Sequence, residues 1–336
     1  MKNKWLAIAG LVVISASVQA QFSVFSTGEG TPETISKAPE HFGKFDDQLF
    51  VPDFLYSIIW RVPRNGGLPT VFVLEGGYAD RGGLFLPQAW GALRGQFLVS
   101  GDQPLANNAI LESVRVYDAS GNVTNLISNY AGDLGTPIIS DDDFMHLRNN
   151  VLVGDSTNGN VLAIAPNGAV STVASGLDGP FALAASPCGF GRYEDALFYS
   201  SALDGTIGVV DHHGVASVFA TITPSQGLQT NGLRQLAFAP RNWLAPIGIW
   251  GTVLLVSIPD SNGISQTGVH GSIVAFDFKG NLVAMFKRGA NDKFDPRGMY
   301  FTGDHDRDDS LLVSDASHQI LKVRPNAFAS LAPVHP

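Results

Sequence analysis

The sequence predicts an all-β chain, a six-bladed β-propeller of four-stranded antiparallel blades behind an export signal. Three observations predict it. An apolar triplet recurs six times, as Leu49-Phe50-Val51, Phe97-Leu98-Val99, Val151-Leu152-Val153, Leu197-Phe198-Tyr199, Leu254-Leu255-Val256 and Leu311-Leu312-Val313. The mean step between triplets is about 52 residues, slightly above the roughly 40–50 of common propeller blades. Charged residues are only 15% of the 336, while 37 Gly and 19 Pro supply turns. That balance suits short strands joined by tight turns and argues against long helices and disorder.

The elements follow in chain order. Lys2 and Lys4 precede an apolar run over residues 5–13, extended by Ile14 and Ala16, and Val18-Gln19-Ala20 has the small-x-small form of a cleavage site. Residues 1–20 therefore read as a secretory signal, and residues 21–336 as one propeller domain, secreted or periplasmic. The run falls short of the ~20 apolar residues that span a bilayer, so cleavage is expected rather than an uncleaved anchor, with no membrane insertion afterwards. Cys188 is the only cysteine. With no intrachain disulfide, the core alone must hold the fold in an oxidising compartment. A net charge of −9 lacks the basic footprint of nucleic-acid binding.

After each triplet a second strand is expected, at 57–62, 113–118, 160–165, 206–211, 272–277 and 319–324. Turns with Gly67, Gly121, Gly168, Gly214 and Gly280 follow, because a hairpin turn needs positive φ without a Cβ clash. Third strands come next at 70–74, 123–127, 170–174, 215–220 and 282–286. A further strand precedes each triplet, as at 181–185, 233–239 and 297–302, which gives four strands per unit. The sixth copy has no fourth strand after Arg324. Phe22-Ser23-Val24-Phe25-Ser26 resembles Ala216-Ser217-Val218-Phe219-Ala220, so residues 22–26 are expected to close the last blade; residues 327–331 are the alternative. In such a meander the loops between the triplet strand and the next share a face, the top, with the interblade loops. The longest top loops are 102–112 and 258–271, and loops beyond the tight-turn minimum are disproportionately functional.

The pieces Leu311-Leu312-Val313-Ser314-Asp315 with Gln319-Ile320-Leu321-Lys322-Val323, and Val151-Leu152-Val153-Gly154-Asp155 with Asn160-Val161-Leu162-Ala163-Ile164, resemble NHL repeats. The segment Gly176-Leu177-Asp178-Gly179-Pro180-Phe181-Ala182-Leu183-Ala184 is similar to interblade junctions of NHL and SMP-30/gluconolactonase-like propellers. The resemblance covers the mature chain at the level of architecture, which transfers fold better than activity. Lactonases of that superfamily hold a divalent cation on the central axis with a Glu, an Asn and an Asp. The resemblance implies Asn231 for the Asn and Glu33 for the Glu; for the Asp, Asp260 and Asp295 are the candidates.

Other candidates come from the residues themselves. Asp53, Asp155 and Asp315 recur after the triplets, either as oxygen ligands ringing the channel or, as their periodicity favours, as turn residues accepting backbone N–H groups. Arg81, Arg234 and Arg297 open innermost strands. They either grip a carboxylate or phosphate or pair with channel carboxylates such as Asp295. Asp178, in an interblade junction, joins them on the top face. Asp304, Asp306 and Asp308 place carboxylates at alternate positions, a pattern that wraps calcium or another hard divalent cation, although no glycine turns the loop at Asp309. Asp141-Asp142-Asp143 reads as a solvated acidic run. His270 and Asp260, on the long loop of blade five, offer a general base and its partner. No Gly-x-Ser-x-Gly elbow, metalloprotease helix or P-loop is present. The expected function is that of an exported, monomeric propeller binding a small molecule, peptide or glycan on its top face. The alternative is a divalent-metal-dependent hydrolase of lactones or esters, whose cation polarises the carbonyl and activates water; a lyase using His270 is a third reading.

Overall fold

The structure, a computed structural model, describes residues 22–104, 110–140, 144–223, 228, 232–260, 271–288, 293–303 and 310–331. Asn231, His270, Asp304, Asp306, Asp308, the Asp141-Asp142-Asp143 run and the leader over residues 1–20 lie outside the described residues.

The triplets explain the architecture. Each forms the second strand of a blade, and side chains alternate across a strand. Its outer two residues therefore face one neighbouring blade and its middle residue the other. Leu254 and Val256 pack against blade four, while Leu255 packs against blade six. Val151 and Val153 face blade two and Leu152 faces blade four. Leu49 and Val51 face blade six and Phe50 faces blade two. A strand covered on both faces reads as a continuous apolar run rather than an alternating one. The core is accordingly a set of six slabs between blades rather than one central mass.

Six antiparallel sheets result. Blade four shows the plan, running outward through Pro180–Ala185, Leu197–Ser201, Thr206–Val210 and Ala216–Thr221. The sixth sheet closes as expected: Phe22–Thr27 pairs antiparallel with Gln319–Val323, with Phe22 opposite Val323 and Thr27 opposite Gln319. The competing segment has another place. Ala329–Ser330 pairs with Leu282–Phe286 and adds a fifth strand to blade five.

Most strand ends differ from expectation by a residue, and blades five and two differ by more. The innermost strand of blade five begins at Leu236 rather than at 233, because Arg234 and Gln235 spend their backbone groups on Ser257. In blade two, much of the 102–112 segment is strand rather than loop. Phe97–Pro104 and Ile110–Tyr117 continue the ladder past the other blades, with Asp102 directly opposite Glu112. The register pairs 102–104 with 110–112, which makes these residues strand. Among the described residues no helix is long and apolar enough to cross a membrane.

Candidate functional site

The residue after the triplet is Ser100, Ser200, Ser257 or Ser314 in four of the blades. Each hydroxyl donates across a seam to a carbonyl at the entry of the next blade's innermost strand. Ser100 reaches Gly135 at 2.7 Å, Ser200 reaches Arg234 at 2.9 Å, Ser257 reaches Arg297 at 3.2 Å, and Ser314 reaches Glu33. Ser200 and Ser314 also accept the N–H groups of Ala182 (3.1 Å) and Gly298 (2.6 Å) in their own blades. These relays fix the backbone of Arg234, Arg297 and Glu33, the residues whose side chains enter the channel. Gly298 is part of the fit. A Cβ there would lie 2.3 Å from the Glu33 carbonyl oxygen, so only glycine lets blade six approach this closely.

Blades one, two, five and six contribute to the resulting cluster, and Asp133 joins it from the entry to blade three. Arg297 Nη1 donates to Glu33 Oε1 at 2.8 Å and Nη2 to Asp295 Oδ2 at 3.1 Å. Arg81 Nη2 donates to Asp102 Oδ1 at 3.2 Å and lies 3.5 Å from Asp133 Oδ1, its guanidinium 4.6 Å over the Phe54 ring. Arg234 sits 5.5 Å over the Phe181 ring, and its buried Nε has no hydrogen-bond partner. No carboxylate among the described residues is within ion-pair distance of it. Burial, then the charge of Arg297, lowers the Arg234 pKa. Burial also raises the Glu33 carboxyl above its ordinary value, against the pull of Arg297, Arg234 and Arg81. Burial works to lower the Arg297 pKa, but Glu33 and Asp295 outweigh it and hold it raised. The three arginines and Glu33 are thus electrostatic neighbours, and sequence alone brought the arginines together by their shared place in the repeat.

Of the remaining candidates, Asp260 stays beside the cluster and the others separate. Asp260 is 9% exposed, and its N–H donates to Asp295 Oδ1 at 3.3 Å. Asp178 is exposed and sits beside Asp204, away from the arginines' contacts. Asp53, Asp155 and Asp315 are fully buried and tie the start of the innermost strand to the following turn. Asp53 accepts from Thr31 N, Leu55 N, Tyr56 N and Trp60 Nε1. Asp155 accepts from Tyr130 Oη, Asp133 N and Asn158; burial first, then this bond, pushes the Tyr130 hydroxyl up to about 12. Asp315 accepts from Asp295 N, Ser317 and Arg288.

Among the described residues, Glu33 and Asp295 do not offer free donors to an axial cation of the lactonase kind. Glu33 and Asp295 both hold the Arg297 guanidinium, and two further arginines face Glu33. Sequence reasoning missed a second acidic group beside Arg81: Asp102, Glu112 and Asp133, whose oxygens lie within 4.8 Å of one another. The available signal was a Glu and an Arg, at 112 and 115, inside an otherwise apolar strand, since such residues are almost never fully buried unless paired. A cavity of about 580 Å³ lies on the opposite face, at the seam of blades one and six, lined in part by Lys37, Asp47, Arg64 and Lys322. Asp47 there already pairs with Lys37 at 3.0 Å and Arg64 at 3.3 Å.

No protein-family model matches the chain, and no curated protein matches it. Among solved structures it is similar to a gluconolactonase from Xanthomonas campestris, with 13% identity over 90% of this chain and 89% of that one and a TM-score of 0.59. A glucose dehydrogenase matches with 13% identity over 90% and 99% and a TM-score of 0.58. An auxiliary nutrient binding protein from Bacteroides thetaiotaomicron matches with 11% identity over 91% and 70% and a TM-score of 0.60. The fold is therefore the six-bladed propeller also found in gluconolactonases. Three activities on one scaffold leave function to be argued from the site.

Proposed function

We propose that this chain is an exported binding propeller that holds a small polyhydroxylated carboxylate, a sugar acid, at the top of its central channel. Arg234 carries the reading. It is a cation without a carboxylate partner among the described residues, seated on an aromatic ring and held by the seam from Ser200. An incoming carboxylate completes it through charge-assisted hydrogen bonds. The paired groups around it, Arg297 with Glu33 and Asp295, and Arg81 with Asp102, present donors and acceptors side by side, which suits hydroxyls that do both. Two of the similar structures are named for a sugar and a sugar lactone, and a third is named as a nutrient binder, which supports this ligand class.

Calorimetric titration of the chain from Gln21 onward with an aldonate and with the matching neutral aldose tests it. The aldonate is expected to bind more tightly. Arg234→Gln should weaken it about ten- to a hundredfold, the equivalent of a charged hydrogen bond of about 1.5–3 kcal/mol. No binding of either sugar, or equal binding by the variant, rejects the proposal. The hydrolase alternative is checked in the same preparation by lactone hydrolysis before and after chelation. Export rests on the leader alone: Edman sequencing of protein recovered outside the cytoplasm should begin at Gln21.

A further inference from the structure

Aromatic side chains fill the bottom of the seams between blades, and one seam departs from this pattern. In blades one to five the loop from the innermost strand to the triplet strand packs into the seam with the next blade. Phe42 and Phe45 take that place between blades one and two, and Trp90 between two and three. Phe144 takes it between three and four, Phe190 between four and five, and Trp243 between five and six. All six rings are buried. They reach the neighbouring blade: Phe42 meets Phe85 at 5.0 Å, Phe190 meets Phe238 at 4.8 Å and Trp243 meets Phe301 at 5.1 Å. Trp90 Nε1 donates to the Asn149 carbonyl at 2.7 Å. The matching segment of blade six, residues 302–310, contains no Phe, Tyr or Trp. The cavity of about 580 Å³ lies in this sixth seam, between blades six and one.

Interiors are close-packed, and unfilled space lowers stability. This volume also falls in the range of about 300–1,000 Å³ that small-molecule sites occupy. The lining sets the occupant. Leu49 and Leu312, both buried in the slab of this seam, give it an apolar wall together with Phe25 and Tyr300. The charged part of the lining is Lys37, Arg64 and Lys322 with one carboxylate among the described residues, Asp47. Asp47 pairs with Lys37 and with Arg64, yet one carboxylate against three cations leaves a formal excess of positive charge. An apolar wall beside excess cations is complementary to a flat apolar body bearing an anion. We propose that this cavity binds a small aromatic carboxylate. Its ring takes the place that an aromatic side chain holds in the other five seams, and its carboxylate meets Lys37 and Arg64 through charge-assisted hydrogen bonds. The lining draws Val24 from the closing strand, Leu312 from blade six and Leu49 from blade one. The ligand therefore joins both ends of the chain across the seam that makes the ring. The site shares no residue with the sugar-acid site at the top of the channel.

Indole-3-acetate and phenylacetate, titrated separately by calorimetry into the chain from Gln21 onward, test this without any sugar, so the outcome is independent of the sugar-acid reading. One of the two acids at least should bind at one site per chain, about tenfold more tightly than its neutral amide. Saturation should raise the melting temperature. Val24 lines the cavity and is 51% exposed, so Val24→Trp supplies an indole from the chain itself. That variant should lose binding and melt no lower than the ligand-free parent. Arg64→Gln changes an exposed side chain and should weaken binding severalfold without unfolding, which keeps the test decisive if Val24→Trp folds poorly. Saturating gluconate should leave binding unchanged, and Arg234→Gln should bind as the parent does. Absence of saturable binding of both acids overturns the proposal, as does equal affinity for acid and amide. Unchanged binding by both Val24→Trp and Arg64→Gln also overturns it, and displacement by gluconate does so by placing the acid in the channel.

Discussion

Arg115 illustrates what a buried charge requires of its neighbours. Its guanidinium is 1% exposed and lies 3.8 Å over the Tyr78 ring. It donates to Ser113 Oγ at 2.7 Å and to Asp80 Oδ1, and lies 3.2 Å from Glu75 Oε1. Tyr117 Oη donates to Glu75 in turn. Two carboxylates face one cation, and Asp80 Oδ2 has no hydrogen-bond partner. Burial first, then the charge of Glu75, holds the Asp80 carboxyl well above its ordinary value despite Arg115. The folded chain therefore keeps a proton that the unfolded chain releases near pH 4. A raised carboxyl pKa contributes stability that is fully present below the unfolded value and is lost as pH climbs towards the folded one. Asp80→Asn keeps an acceptor for Arg115 and removes the titration. Urea unfolding at steps from pH 4 to 8 should show the parent losing stability relative to the variant as pH rises. Parallel curves across that window would falsify the protonated assignment.

Among the elements, the seam serine is the most exposed to test. Ser314 takes the Gly298 N–H and gives its proton to the Glu33 carbonyl, so Ser314→Ala strands two buried backbone groups at the joint between the last blade and the first. The cost should be about 1–3 kcal/mol in chemical denaturation. The conservative Ser314→Thr should recover part of it; a cost below the error of the measurement would remove the relay from the account. Elements were legible where one strand had two buried faces, because a triplet such as Leu311-Leu312-Val313 cannot sit elsewhere in a meander. The arginines were legible because 81, 234 and 297 occupy one position of the repeat. Asp102, Glu112 and Asp133 were not. Their meeting depends on the ladder register that sets 102 against 112 and on a junction that returns 133 to both, and neither is written in local composition.

Closure governs the molecule as a whole. Among the described residues, the slab between blades six and one contains six buried apolar residues, against seventeen between blades four and five. Among the described residues, the joint with the fewest buried apolar residues is therefore the one that makes the ring. Phe22–Thr27 compensates by bridging both sides of it. The strand pairs with Gln319–Val323, while Ser26 Oγ donates to Gly67 O at 2.6 Å and Phe25 O accepts from Gly67 N at 3.0 Å in blade one. Phe22 adds an edge contact with Phe286 of blade five at 5.8 Å. Stability in repeat architectures is close to a sum of units and nearest-neighbour interfaces. Deleting residues 21–27 should then open one interface rather than unfold everything. We expect a lower first transition, with blade six fraying ahead of blades two to four, whose slabs do not involve the strand. Hydrogen exchange should show amides of Leu311–Asp315 losing protection while those of Val151–Asp155 keep theirs. A synthetic peptide spanning residues 21–27, added in trans, should restore part of the lost melting temperature. A truncated chain that melts like the full mature form, with unchanged protection in the last blade, would place closure in side-chain packing across the seam instead of in the strand.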